Sequence, residues 1–102
     1  MIHIVAIITA KSGMREAILK EFHANIPAGH AEKGCIEYGP TIDAEGIGSF
    51  QTKFGPDTFV VIEKWESAEA LRAHATSPHM AAYAAKTREM IASRVIHVLQ
   101  PG

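Results

Sequence analysis

The sequence predicts an α+β domain of ferredoxin-like βαββαβ order, a four-stranded antiparallel sheet with its helices on one face. Three observations predict it. The chain opens and closes on β-branched apolar runs, IHIVAIITA and RVIHVLQ, and a third such run, TFVVIEKW, lies in between. The stretches before and after the middle pair of strands carry helical spacing. Right-handed crossovers then leave this plan as the economical topology. At 102 residues the chain is one domain, 1–102, able to bury roughly 60–70% of its unfolded surface in a single core.

Residues 2–10 are apolar on both faces, which describes a central strand covered from two sides. After the Lys11-Ser12-Gly13 turn, Met14, Ala17, Ile18 and Phe22 recur at helical spacing, with Arg15, Glu16, Lys20 and Glu21 toward solvent. Pro27 is expected to disturb that helix at Ile26-Pro27, because proline removes a backbone donor and clashes with the preceding turn. CIEYGPTIDA, from Cys35, reads as a second strand, and Pro40 confines it to a bend or an edge. Residues 44–57 hold glycine, proline and polar residues without periodicity, so a long loop is expected, serving as a lid or as an arm reaching another subunit. TFVVIEKW is the next strand. Ser67 caps the short helix AEALRAHA, placing Glu69 where the helix dipole favours a carboxylate. Ser77 and Pro78 then start a further helix, PHMAAYAAKTREMIAS, since proline's missing donor costs nothing at the first helical position. RVIHVLQ closes the chain as a strand.

Charge and composition exclude several classes of partner. The formal charge is −1 with histidines neutral, and the charges are interspersed, so neither nucleic acid nor an anionic membrane is expected. The apolar N-terminal run is shorter than the roughly 20 residues of a membrane span and lacks a basic flank or cleavage site; a cytoplasmic protein is expected. Cys35 is the only cysteine, which rules out an internal disulfide or a multi-thiolate metal site and leaves it as a small core hydrophobe.

The sheet leaves one problem unsolved. Ile2, Ile4, Ala6 and Ile8 alternate with Val5 and Ile7, and neither set is polar. The face without helices therefore needs a cover, and a second copy of the sheet supplies one. A homodimer with two sheets packed face to face around an interior space is expected.

The runs GCIEY, FVVIEKWES, EALRAHATSPHMAAY and SRVIHVLQP, in this order and spacing, resemble the antibiotic biosynthesis monooxygenase family, whose members are dimeric α+β barrels. The resemblance spans nearly the whole chain, and the Trp65 to His79 run is its most specific part. It implies an oxygenase working without metal or flavin on a phenolic or quinol substrate, a haem-degrading enzyme, or an isomerase of a sugar phosphate. The haem-degrading members use asparagine, tryptophan and histidine where this chain has Ala6, His74 and Ala84, so haem is not expected. The oxygenases carry an asparagine ahead of their tryptophan, at the position held here by Val61.

Strand alternation places Phe59, Val61, Glu63 and Trp65 on one face, and the resemblance, with its pocket tryptophan, assigns that face to the dimer-side space. An inward Glu63 has a raised pKa unless paired and can act as a general base; otherwise it is an ion pair at the dimer interface. Trp65 either packs or stacks on substrate. His79, in the first turn of its helix, can be kept neutral by the dipole and accept a substrate proton, and His74 can turn into the pocket or bond to helix carbonyls. Tyr38 and Tyr83 are candidate pocket walls or core residues. His74 and His79, five positions apart across a helix break, lack the spacing of a helical metal pair, so no metal site is expected. GIGSF begins like a dinucleotide fingerprint, but Gln51 stands where the third glycine belongs, so no NAD or flavin is expected. The function expected is a cofactor-free monooxygenase that uses dioxygen on a phenolic or quinol-like aromatic. Two alternatives stand beside it: an isomerase abstracting a proton beside a carbonyl, and a non-catalytic dimer binding a small ligand.

Overall fold

A computed structural model describes the whole chain, residues 1–102. The β-branched runs form β1 (Ile2–Ala10), β3 (Thr58–Trp65) and β4 (Ile91–Leu99), and the Cys35 segment forms β2 (Cys35–Thr41). Between them lie α1 (Arg15–His30), α2 (Ala68–Ala75) and α3 (Pro78–Thr87), the last followed by a 3-10 turn at Arg88–Met90. The strands pair antiparallel in the order β2-β3-β1-β4. This is the predicted ferredoxin-like arrangement, with β2 and its Pro40 at an edge.

Register decides which side chains share a face. Ile4 lies opposite Glu63, Ala6 opposite Val61 and Ile8 opposite Phe59, while Glu63 lies opposite Tyr38 on the other side. These residues are buried, and they are buried by the helices. Phe22 of α1 stacks on Tyr38 at 5.0 Å and meets Phe59 edge-on at 6.2 Å and Tyr83 of α3 at 5.7 Å. Burying each of these large side chains stabilises the fold by about 1.5–3 kcal/mol. The expectation that Phe59, Val61, Glu63 and Trp65 face the dimer side is therefore corrected. They face the helices, because this is the sheet face on which α1, α2 and α3 deposit their apolar stripes.

Three boundaries also differ from expectation. The α1 helix runs through Pro27 to His30. Only one intrahelical bond is forfeited there, and the end is closed by Ala31 N–H donating to Pro27 O (3.1 Å) and Glu32 N–H donating to Gly29 O (3.2 Å). Its core face is Ile18, Leu19 and Phe22, whereas Met14 and Ala17 are exposed. The helix expected through Ser93 stops at Thr87, and β4 begins at Ile91. Here long-range pairing overrides helix propensity, since Ala10 pairs with Ile91 and Lys11 N–H donates to Met90 O at 2.8 Å. The second strand stops at Thr41. From there the chain enters the long loop, which is held as a closed unit: the Asp43 carboxylate accepts from Phe54 N–H (2.9 Å) and Gly55 N–H (2.8 Å). These bonds hold its carboxyl below the usual range. Phe50, at the loop's outer end, is 83% exposed.

The sheet face away from the helices carries Val5 and Ile7 of β1, Ile62 of β3, and Val95 and Leu99 of β4. On the other face of β4, Ile96 and Val98 extend past the helices and are 51% and 57% exposed. No helix is long and apolar enough to cross a membrane.

Candidate active site

Two helix ends and one strand bring the site together. Ser67 accepts from Ala70 N–H at the start of α2, and Ser77 from Met80 N–H at the start of α3. These caps fix the helix break between His74, in the last turn of α2, and His79, in the first turn of α3. Beneath them Glu63 and Trp65 project from β3. The two imidazoles have centroids 5.8 Å apart, and the His74 ring lies 4.6 Å from the Trp65 ring and 5.0 Å from Tyr38. The fold thus gathers His74, His79, Glu63, Trp65 and Tyr38.

A residue that sequence reasoning missed joins them. Glu32, in the link from α1 to β2, places one carboxylate oxygen 3.0 Å from His74 Nδ1 and in direct contact with His79 Nε2. His79 Nδ1 faces Asn25 Oδ1 at 3.1 Å, and His74 Nε2 faces Glu63 Oε1 at 3.8 Å. The indole N–H of Trp65 donates to the same Glu63 oxygen at 2.9 Å. The result is one polar chain through an apolar core: Trp65, Glu63, His74, Glu32, His79, Asn25. Its hydrogen-bonded centre, His74–Glu32–His79, is the part along which a proton can move, since the 3.8 Å from His74 to Glu63 is longer than a hydrogen bond.

Burial pushes the Glu63 carboxyl above its ordinary value, against the opposing pull of the Trp65 N–H and of His74. Burial likewise raises the Tyr38 phenol, so it stays a donor; its hydroxyl points at Met80 Sδ, 3.6 Å away. Glycine permits two close approaches. A Cβ on Gly29 would lie 2.6 Å from the Tyr38 ring, and one on Gly34, whose φ is +86°, would lie 2.6 Å from Ala70 Cβ. Without them, α1 and α2 could not close on β2 around Glu32.

The remaining predicted residues are placed differently. Phe59 and Val61 lie further along the same sheet face inside the hydrophobic core, and Phe59 also borders a recess under the long loop. Tyr83 borders two recesses, a small one between α1 and α3 that includes Asn25 and His79, and a larger one beside β4. Cys35 packs against the core, and its thiol is raised by burial and by Glu32 and Glu63.

Glu32, His74 and His79 together offer three ligand atoms within 4.8 Å of one another, a donor set of the kind zinc or ferrous iron accepts. The two histidines alone lack metal-pair spacing along the chain, and Glu32 completes the set in space. One physical signal pointed to Glu32: a carboxylate just past a helix C-terminus sits at the unfavourable end of the dipole and calls for a partner.

Residues 1–86 match the family described as antibiotic biosynthesis monooxygenase. The chain is 38% identical to the probable quinol monooxygenase YgiN of Escherichia coli strain K12 over 104 aligned positions, covering 100% of this chain and 99% of that one. Among solved structures, PA3566 from Pseudomonas aeruginosa superposes with a TM-score of 0.80 at 25% identity, covering 98% of this chain and 92% of that chain. Rv0793 from Mycobacterium tuberculosis gives 0.79 at 27% identity, with coverage of 98% and 93%.

Proposed function

This chain belongs to the antibiotic biosynthesis monooxygenase family and is a monooxygenase-type enzyme; from that membership we propose that it oxygenates a phenolic or quinol-like aromatic with dioxygen, the protein supplying a base rather than a redox cofactor. The buried chain from Glu63 through His74 and Glu32 to His79 carries this reading. Its outer member, His79, reaches a recess at the surface, while its inner members are shielded by Trp65 and Tyr38.

Deprotonation of a phenol by His79 makes an electron-rich anion that can pass one electron to dioxygen and so escape the spin barrier. Radical recombination forms a carbon–oxygen bond and a peroxide. Loss of water then leaves a quinone: a phenol with a reactive ring C–H plus dioxygen gives a quinone plus water. His79 takes the proton on Nδ1, where the phenol displaces the Asn25 contact, and the Glu32 carboxylate at Nε2 steadies the resulting imidazolium. The protein also orients the ring and excludes water.

The open sheet face supports a homodimer as the working unit. Val95 and Leu99 are 49% and 48% exposed on the face of Val5, Ile7 and Ile62, a mainly apolar surface interrupted by His3, Lys64 and His97 that a second sheet would cover. Phe50 at the loop tip adds an apolar arm suited to reach that neighbour. The test is oxygen uptake with a panel of quinols and naphthols on protein assayed in parallel for metal and flavin. Uptake with a metal- and flavin-free sample supports the reading. Proton exchange at a carbon beside a carbonyl, without uptake, makes the protein an isomerase instead.

A further inference from the structure

A recess of about 360 Å³ opens beside β4, where α3 and the 3-10 turn part from β1. Ile8, Met80, Tyr83 and Ile91 supply apolar walls, and Arg88 and Arg94 stand in the same lining, which includes no acidic residue. Neither arginine belongs to any of the ion pairs of the protein. Lys11, Lys20, Lys33 and Arg72 are also outside the ion pairs; what sets Arg88 and Arg94 apart is that both stand in one partly apolar recess. Arg94 projects on the helix face of β4, opposite Ile8 and next to apolar Ile96 on that face. Burial pushes the Tyr83 phenol up to about 12, with Arg94 opposing, so its hydroxyl remains a donor.

Met80 forms the partition between this recess and the proton chain. Its sulfur accepts from Asn25 Nδ2 (3.3 Å) and the Tyr38 hydroxyl (3.6 Å) on one side, and its side chain lines the recess on the other. The volume falls in the range that holds small ligands, and apolar walls with a few convergent polar groups are what such sites use. A guanidinium matches a carboxylate with two parallel hydrogen bonds. Two of them without acids leave the recess cationic until an anion arrives.

We infer that this recess binds an aromatic ring carrying an anionic group, the ring against Ile8, Met80 and Tyr83 and the anion on Arg88 and Arg94. The ligand class is the hydroxyaryl carboxylates, and for oxygenation their hydroxyl must pass Met80 to reach His79, which lines the neighbouring recess rather than this one. This assignment rests on the oxygenase reading for the fate of the ligand, but not for its binding.

The experiment titrates the protein with 2-naphthoate and 2-naphthamide, which share a ring and differ in charge. Naphthoate binds at least about tenfold more tightly at low salt, and salt narrows the gap. Arg88→Gln and Arg94→Gln each remove most of that preference, with Kd for naphthamide little changed. Arg94→Lys, which keeps the charge, restores part of it even if a glutamine variant folds poorly. Ala84→Trp, filling the recess, blocks both ligands. Equal affinity for the two probes, an undiminished preference in both glutamine variants, or no binding of either probe overturns the inference. Oxygen uptake on neutral quinols alongside such a result leaves the oxygenase reading standing. A clear naphthoate preference without uptake on any quinol, naphthol or hydroxyaryl carboxylate sinks the oxygenase reading and keeps the anion site.

Discussion

Trp65 donates its indole N–H to Glu63 across 2.9 Å, two residues along one face of β3, and both side chains are buried. The bond lets a carboxyl sit in the core and simultaneously satisfies the indole. Trp65→Phe keeps an aromatic ring but removes the donor, so it should cost about 1–3 kcal/mol. The Glu63 carboxyl should also titrate higher still, since the Trp65 bond lowers its pKa. Urea unfolding and carboxyl-carbon NMR read the two effects, and an unchanged Glu63 titration would show that the bond does not form in solution.

Stability should depend on pH through Glu63 in a definite direction. Its folded pKa is raised from an ordinary value near 4.5, so above that value the folded state holds a proton that the unfolded chain has released. Stability therefore falls as pH rises from the unfolded pKa through the raised folded one, and the full cost persists above it. Glu63→Gln removes this cost while its side-chain oxygen can still accept from Trp65. Urea midpoints of wild type and variant should converge near pH 4 and separate in favour of the variant by about pH 8; parallel profiles contradict a raised pKa.

The proton chain makes Glu32 a positioning residue for His79. His79→Gln should lower kcat by roughly 10²–10⁴-fold with the fold intact. Glu32→Gln should lower kcat and shift the acid limb of the pH–rate profile, because the residue acts through the imidazole. His74→Gln should do less, chiefly affecting substrate orientation. Full turnover in both histidine variants with none in Glu63→Gln would move the base to β3.

Assembly is checked on the open sheet face. Val95→Glu puts a charge among Val5, Ile7 and Leu99, and should convert a dimer into monomers in sedimentation at micromolar concentration. Phe50→Ser should weaken assembly while leaving the monomer's thermal midpoint unchanged, since Phe50 is almost wholly exposed within the monomer. A wild-type chain that sediments as a monomer removes the dimer altogether.

The helix caps at Ser67 and Ser77 were legible because capping is local: one hydroxyl, one N–H three residues on. Alanine at either position should cost about 0.5–2 kcal/mol in unfolding free energy. The end of α3 was not legible, because REMIAS has helical character and only the bond from Lys11 to Met90 and the Ala10–Ile91 pairing pull it into β4. Pro27 misled for the opposite reason: a rule about helix interiors was applied near a helix end, where one lost bond is tolerated.

Period-two alternation grouped Phe59, Val61, Glu63 and Trp65, and the order of β-branched and helical runs, with the Trp65 to His79 stretch, determined the fold and the family. Those features reside in neighbours along the chain, and short-range sterics and hydrophobic spacing suffice to express them. Which side of the sheet that set faces was decided only when the helices packed, because alternation defines two faces without naming the covered one. Glu32 became the bridge between His74 and His79 for the same reason. It lies 42 and 47 positions from them, and only the closure of α1 and α2 over β2, through Gly29 and Gly34, brings a carboxylate from a helix end against two imidazoles.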